Sequence, residues 1–143
     1  DSKLRGVLLG FSSATEKKDS LRAIMEGTGY ALRTILDEFP IEIVLHSMIY
    51  GTGGGYRSRI WSQIKADILQ MPIQVMQRQY DAAVLGAACI AMDAAGAPRE
   101  QRYASVPETI YEPDPSTAPV YQKQYHRFRR LYAATRELFH CEE

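Results

Sequence analysis

The stretch GTGGGYRSRIWSQIKADILQMPI, residues 51–73, contains the signals that decide the fold. Four glycines follow an apolar run, and Ser58 then stands where the N-cap of a helix is expected. Beyond it, apolar residues recur at helical spacing, at positions Ile60, Trp61, Ile64, Ile68 and Leu69. Pro72 ends this helix, and Ile73–Met76 is typical of a short strand. The stretch therefore predicts a glycine turn, a helix and a strand, in that order.

The segments that precede this stretch extend the alternation. Short apolar runs at Gly6–Phe11 and Ile41–Tyr50 predict two strands, and the second has apolar residues on both faces, as a central strand does. Helical spacing between them predicts a helix with Ser20 as its N-cap. Gly27 and Gly29 lie inside that helix, where glycine is unfavourable, and so predict close packing against a neighbouring element.

The segments that follow add helices. Residues 81–96 form a small-residue stretch that predicts a helix, and residues 97–119 contain five prolines and predict an irregular surface connection. A final helix carries an aromatic stripe, which predicts packing on a core rather than a stacking platform, at Tyr121, Tyr125, Phe128, Tyr132 and Phe139. The overall order predicts an α/β architecture with partly parallel strand pairing.

Composition narrows the function classes. The 143 residues are 45% hydrophobic and carry 17 basic and 17 acidic side chains, which gives a net charge of zero. A generic nucleic-acid-binding protein would have a basic surplus, so this class is not expected. No run approaches the roughly 18 apolar residues of a membrane span. Two cysteines exclude a dense disulfide framework, and a reducing cytoplasm is the expected location.

The glycine turn is the strongest candidate for a binding site. Glycine backbone can approach a ligand closely, and the helix that starts near Ser58 presents free N–H groups that suit a phosphate. The turn matches neither of the common glycine-rich phosphate-loop patterns, so a tight turn with no ligand remains an open alternative. The carboxylates at Glu26, Asp37, Asp67 and Asp81 do not have the spacing of a catalytic pair, and we expect each on a solvated face or as a charge at a helix terminus.

Four segments together resemble the C-terminal domain of the FGGY carbohydrate kinases, especially the xylulokinase branch. Residues 6–27 resemble the second family signature, except at Phe11 and Ser20. Residues 53–73 resemble the family stretch GGGAKSxLWxQILADVLGxPV, and residues 81–88 resemble EAAALGAA with Asp81 in place of Glu. The tail motifs YxPDP and YxxxYxxFRRLY, at residues 111–132, resemble the end of the family. The likeness covers nearly the whole chain.

This resemblance implies an α/β fold, an actin-like, ribonuclease-H-like ATPase domain that is incomplete and ends in a helix. Residues 1–143 would be the C-terminal, nucleotide-side domain, truncated at its N-terminus. In such kinases the N-terminal domain binds the sugar and carries the catalytic Asp base, and the C-terminal domain closes on ATP. By the same resemblance, Gly53, Gly54 and Ser58 contact the nucleotide, and Gly55 is added as their neighbour. The cofactors implied are ATP and Mg²⁺, with the metal held mainly outside this segment; no catalytic or metal-ligating residue is expected within it.

The activity implied is transfer of the γ-phosphoryl group of ATP to a pentulose such as xylulose, by the whole kinase and not by this chain alone. Two alternatives stay open: a chaperone-type or filament-type actin-fold ATPase, and a nucleotide-free interaction domain. The implied partners are an N-terminal kinase domain and the sugar, with no nucleic acid and no membrane. If the first strands of the domain are absent, a free edge at Gly6–Phe11 predicts a homodimer.

Overall fold

The structure, a computed structural model, describes residues 3, 5–45, 47–76, 82–97 and 107–140. Its helices are α1 (Lys17–Leu36), α2 (Ile41–Leu45), α3 (Arg59–Leu69), α4 (Ala82–Ala94) and α5 (Ala118–Arg136). Its strands are β1 (Ile49–Gly51), β2 (Ile73–Met76) and β3 (Pro107–Tyr111), and short 3-10 turns cover Gly54–Tyr56, Pro115–Thr117 and Glu137–Phe139. Across these residues, no helix has both the length and the apolar character needed to cross a membrane.

A mixed three-stranded sheet is built around β2. Strands β1 and β2 run parallel, with Ile49 opposite Ile73, and α3 forms the crossover between them. Strand β3 returns antiparallel on the other side of β2, with Tyr111 also opposite Ile73. The predicted α/β architecture with partly parallel pairing is therefore confirmed.

Helix α3 lies at the centre of the described structure because it is apolar on two sides. Ala66 packs on the sheet with Ile73 and Val75, and all three are buried. On the other side, Ile64 and Ile68 pack against α1 and α5. The sheet, α3 and the α1–α5 pair thus form three successive layers.

The approach of α1 to α3 depends on one of the two glycines that the sequence singled out. A Cβ at Gly29 would lie 2.7 Å from Cδ1 of Ile68, so a larger residue at this position would require the Ile68 side chain to shift. A Cβ at Gly27 would meet nothing within 4 Å. The predicted close packing is confirmed for Gly29 and is wrong for Gly27.

The aromatic residues of α5 complete the inner core. Tyr121 and Tyr125 are buried, and the ring of Tyr30 on α1 contacts Tyr121 edge-on at a centroid distance of 6.4 Å. The ring of Phe128 also packs on Tyr30, at a centroid distance of 5.6 Å. Edge-on and tilted contacts of this kind stabilise a core beyond simple burial. The prediction that the stripe packs on a core is confirmed for these residues, whereas Tyr132 is exposed.

Asp67 links α3 to the segment that precedes α5. Its Oδ1 atom accepts hydrogen bonds from Nε2 of Gln63 at 2.8 Å and from the backbone N–H of Asp114 at 2.9 Å. The Asp67 residue is 7% exposed. The expectation of a solvated carboxylate is wrong here, because a buried carboxylate with two donors replaces its lost water contacts.

Two of the predicted strands differ from the structure. Residues Gly6–Phe11 have no regular secondary structure and pair with none of the described strands, so the edge-strand reason for a homodimer does not hold. Within Ile41–Tyr50, the first five residues form α2 because Pro40 accepts hydrogen bonds from the N–H groups of Ile43 and Val44. Only the end of that run joins β1.

Two further predictions about local structure are wrong. The N-cap of α1 is Glu16 rather than Ser20, because Glu16 and Asp19 form a reciprocal capping box. The proline-rich connection contains β3, which the sequence did not indicate. Proline is tolerated as the first residue of a strand, so Pro107 is compatible with this pairing.

Candidate functional site

The glycine turn, residues 51–58, joins β1 to α3. Gly51 is buried at the end of β1, and a Cβ at this position would overlap the ring of Tyr56, which folds back over it. The N–H of Tyr56 donates to the carbonyl of Gly53 at 3.1 Å, and the N–H of Arg57 donates to that of Gly54 at 3.2 Å. These bonds leave the N–H groups at the start of the 3-10 turn without an acceptor inside the turn.

Gly53 and Gly54 differ in whether the backbone conformation itself requires glycine. Gly53 has a φ of 83°, a left-handed conformation that residues with a side chain rarely adopt. Gly54 has no such φ, and a Cβ added to it would meet nothing within 4 Å. The chain itself therefore does not need glycine at position 54, and the space beside Gly54 is open to a ligand.

Ser58 is the N-cap of α3, as the sequence predicts. Its φ of −85° and ψ of 113° are extended, and its Oγ atom accepts a hydrogen bond from the N–H of Trp61 at 3.3 Å. A hydroxyl group that accepts in this way still has a proton to donate. Ser58 can therefore cap the helix and donate to an oxygen of a ligand at the same time.

Lys65 is part of this site, and the sequence reasoning missed it. The residue is 4% exposed, and its Nζ donates to the carbonyl oxygen of Gly55 at 3.1 Å. The ammonium also lies 3.8 Å from the ring centre of Tyr56 and 4.4 Å from that of Trp61. Burial lowers the pKa of Lys65, because removal from water disfavours the charged form. One signal was available: Trp61 and Lys65 are four residues apart and share a helix face.

Trp61 anchors the start of α3 to α1. Its Nε1–H lies 3.0 Å from Oγ1 of Thr28 and 3.2 Å from the carbonyl oxygen of Met25. A half-buried indole that has a hydrogen-bond partner keeps a fixed orientation. Trp61 thus joins α3 to α1 beside the glycine turn, and Lys65 joins α3 to the turn itself.

The geometry suits an anionic ligand at an open surface. The predicted residues Gly53, Gly54, Gly55 and Ser58 lie together in one turn at the N-terminus of α3, where free N–H groups and the helix dipole favour negative charge. The buried ammonium of Lys65 lies behind the same turn. Two shallow hollows lie elsewhere, one beside Tyr132 and the other between residues 8–15 and α1.

Residues 1–95 match the family model described as the FGGY family of carbohydrate kinases, C-terminal domain. The chain belongs to the FGGY family of carbohydrate kinases. The matched residues include α1, the glycine turn and α3, whereas β3 and α5 lie beyond them.

The curated relatives of this chain include sugar kinases. The chain is 30% identical over 118 residues to a probable L-xylulose kinase of Haemophilus influenzae, which covers 82% of this chain and 24% of that protein. It is 28% identical over 142 residues to a ribulokinase of Geobacillus thermodenitrificans, covering 92% of this chain and 25% of the relative. The chain thus spans about a quarter of the length of these curated relatives.

Solved structures of FGGY kinases share the fold. The xylulose kinase from Rhodospirillum rubrum superposes with a TM-score of 0.75 at 30% identity, over 93% of this chain and 28% of the other. A xylulose kinase from Lactobacillus acidophilus, solved with a bound ligand, gives a TM-score of 0.75 at 26% identity, over 94% and 28%. The α/β fold is therefore that of the actin-like, ribonuclease-H-like kinases.

Proposed function

We propose that this chain is the nucleotide-binding part of a cytoplasmic, ATP-dependent sugar kinase that phosphorylates a pentulose such as xylulose. The observation that carries the proposal is the open backbone at Gly54, in the turn that leads into the capped helix α3 and next to a buried ammonium. Membership of the FGGY family and the named pentulose kinases among its relatives support it.

Each residue of the turn has a distinct role in this proposal. Gly53 provides the left-handed bend, and Gly54 lets the nucleotide approach the backbone. The N–H groups of Gly54 and Gly55 face the negative charge of the phosphates, and the Ser58 hydroxyl donates to a ribose or phosphate oxygen. ATP, bound with Mg²⁺, supplies the phosphoryl group that is transferred.

The remaining parts of the reaction belong outside this chain. Phosphoryl transfer depends mainly on positioning and on neutralising charge, which requires the sugar and the nucleotide to meet in a closed cleft. We place the catalytic base and the sugar site in an N-terminal kinase domain. We place most Mg²⁺ ligands there too, as the resemblance to the FGGY kinases implies.

Two experiments on the full-length protein test this function. Titration with MgATP should show saturable binding, which an interaction domain without a nucleotide site would not show. ATP turnover should then depend on added xylulose or ribulose, which separates a sugar kinase from a chaperone-type ATPase. Sugar-independent turnover would contradict the kinase proposal, and a lack of ATP binding would contradict the nucleotide site.

The Ser58→Ala variant should lose about 1 kcal/mol of stability, because the N–H of Trp61 loses its capping acceptor. Its affinity for MgATP should also fall, because the hydroxyl that donates to the nucleotide is lost, but less than in a variant that fills the space beside Gly54, because the glycine backbone remains in place. Urea unfolding of this chain and MgATP titration of the full-length protein measure the two effects. A Ser58→Thr variant is the matched control, since threonine retains the capping hydroxyl and should preserve stability.

A further inference from the structure

Lys65 carries a buried positive charge without a carboxylate partner among the described residues. It lies in the middle of α3, is 4% exposed, and has its Nζ atom 3.1 Å from the carbonyl oxygen of Gly55. Burial of an unpaired ammonium is costly, and an aliphatic side chain would fill the same volume without that cost. Packing alone therefore does not explain a lysine at this position.

Two aromatic rings, together with the carbonyl oxygen of Gly55, fix the position of the ammonium. The ring centre of Tyr56 lies 3.8 Å from Nζ and that of Trp61 lies 4.4 Å away. Cations over aromatic faces are attracted to them, more strongly where water is excluded. Trp61 is itself held to α1 by its indole N–H. The ammonium therefore contacts the glycine turn from a site that both helices define.

Gly55 is fitted to this ammonium. A Cβ at Gly55 would lie 3.3 Å from Nζ of Lys65 and 3.8 Å from the Trp61 ring. A side chain there would crowd the lysine, whereas glycine lets the ammonium reach the carbonyl oxygen. This hydrogen bond restrains the peptide group between Gly55 and Tyr56, which directly follows the N–H groups of Gly54 and Gly55 in the turn.

We propose that Lys65 is a positioning residue, which holds the glycine turn in the conformation that receives the phosphates of the nucleotide. This inference rests on the proposed nucleotide site. Lys65 acts through the carbonyl of Gly55 and does not touch the nucleotide. Its charge adds a positive field behind the turn, which is little screened because water is excluded from it.

The test is MgATP binding by titration calorimetry to the full-length protein and its variants. Lys65→Met keeps the length of the side chain and removes both the charge and the donor. The Kd for MgATP should rise about tenfold, the size expected when one charged hydrogen bond that shapes a site is lost. Lys65→Arg retains charge and donors, and should recover most of the affinity.

The matched control is Ile64→Val on the same helix. Ile64 is buried in the core with Tyr30 and Ile68, on the side of α3 away from the sheet. This variant weakens packing and should lower the thermal midpoint while leaving the Kd for MgATP unchanged. An equal rise of Kd in Ile64→Val and Lys65→Met would overturn the inference, because general destabilisation would then explain both.

The outcomes also separate this inference from the function on which it rests. If the wild-type protein binds MgATP and Lys65→Met binds it equally well, Lys65 is not a positioning residue and the nucleotide site stands. If the wild-type protein shows no saturable MgATP binding, both proposals are wrong. A tenfold loss in Lys65→Met that Lys65→Arg reverses supports both.

Discussion

Replacing Gly54 with valine should raise the Kd of the full-length protein for MgATP about thirtyfold or more. A Cβ added at Gly54 meets no neighbour within 4 Å in this chain, so we expect the larger side chain to conflict mainly with a bound nucleotide. A forced overlap of this size costs about 2 kcal/mol, which corresponds to that change in affinity. Titration calorimetry with MgATP measures it, and binding of xylulose should be unaffected.

The control for this variant is Gly27→Val in α1. A Cβ at Gly27 also meets nothing within 4 Å, and Gly27 likewise has no left-handed φ. The two variants thus make the same substitution at two glycines that the fold does not need. Equal loss of MgATP and xylulose affinity in Gly54→Val would indicate misfolding and would count against the assignment of this turn.

Replacing Ile68 with alanine should destabilise this chain by about 3–4 kcal/mol, as for other large-to-small changes at fully buried positions. Ile68 is 0% exposed and packs in the cluster with Tyr30 and Tyr125 between α1, α3 and α5. Urea unfolding measures the loss. Ile60→Ala on the same helix is the control, because Ile60 is 66% exposed and its loss should change stability by about 0.5 kcal/mol or less.

A double variant tests the contact behind this prediction. Gly29→Ala alone should destabilise the chain, because its Cβ would lie 2.7 Å from Cδ1 of Ile68. Ile68→Ala removes that atom, so Gly29→Ala in the Ile68→Ala background should be neutral or stabilising. Substitutions at two residues that contact each other in the fold show such non-additive effects on stability. Purely additive effects would show that Gly29 and Ile68 do not determine the spacing of α1 and α3.

The part of the fold that could be predicted is the part with strong local signals. Ser58, the apolar spacing beyond it and Pro72 define α3 without help from the rest of the chain. The aromatic spacing of α5 is equally regular, and its core role followed from it. Both helices could be predicted because apolar or aromatic residues recur at helical spacing along most of their length.

The wrong predictions concern segments whose structure depends on distant partners. Residues 41–45 are too few for strand and helix periodicity to be told apart, and Pro40 allowed the helix. Gly6–Phe11 has the composition of a strand, but a strand needs a neighbour to pair with, and local sequence does not supply one. Strand β3 forms for the opposite reason, because β2 offers a free edge to PETIY.

The backbone turn of the candidate site could be predicted from the sequence, but the lysine side chain that contacts this turn could not. Glycine clusters before a helix indicate close approach of a ligand, and the resemblance to the FGGY kinases then implied nucleotide contacts at Gly53, Gly54 and Ser58. The sequence could not show that Lys65 reaches back ten residues to a carbonyl oxygen, because a lysine in a helix is most often at the surface.

The position of α5 has a consequence for how such kinases are dissected into parts. The region that the family model covers ends at residue 95, yet Tyr121 and Tyr125 close the core around Tyr30 from beyond it. A chain cut at the end of that region would keep every residue of the glycine turn and expose the tyrosine and isoleucine side chains that α5 covers. The end of the family-model match therefore does not coincide with the end of the packed core, and a shortened protein intended for binding studies should extend through Arg136.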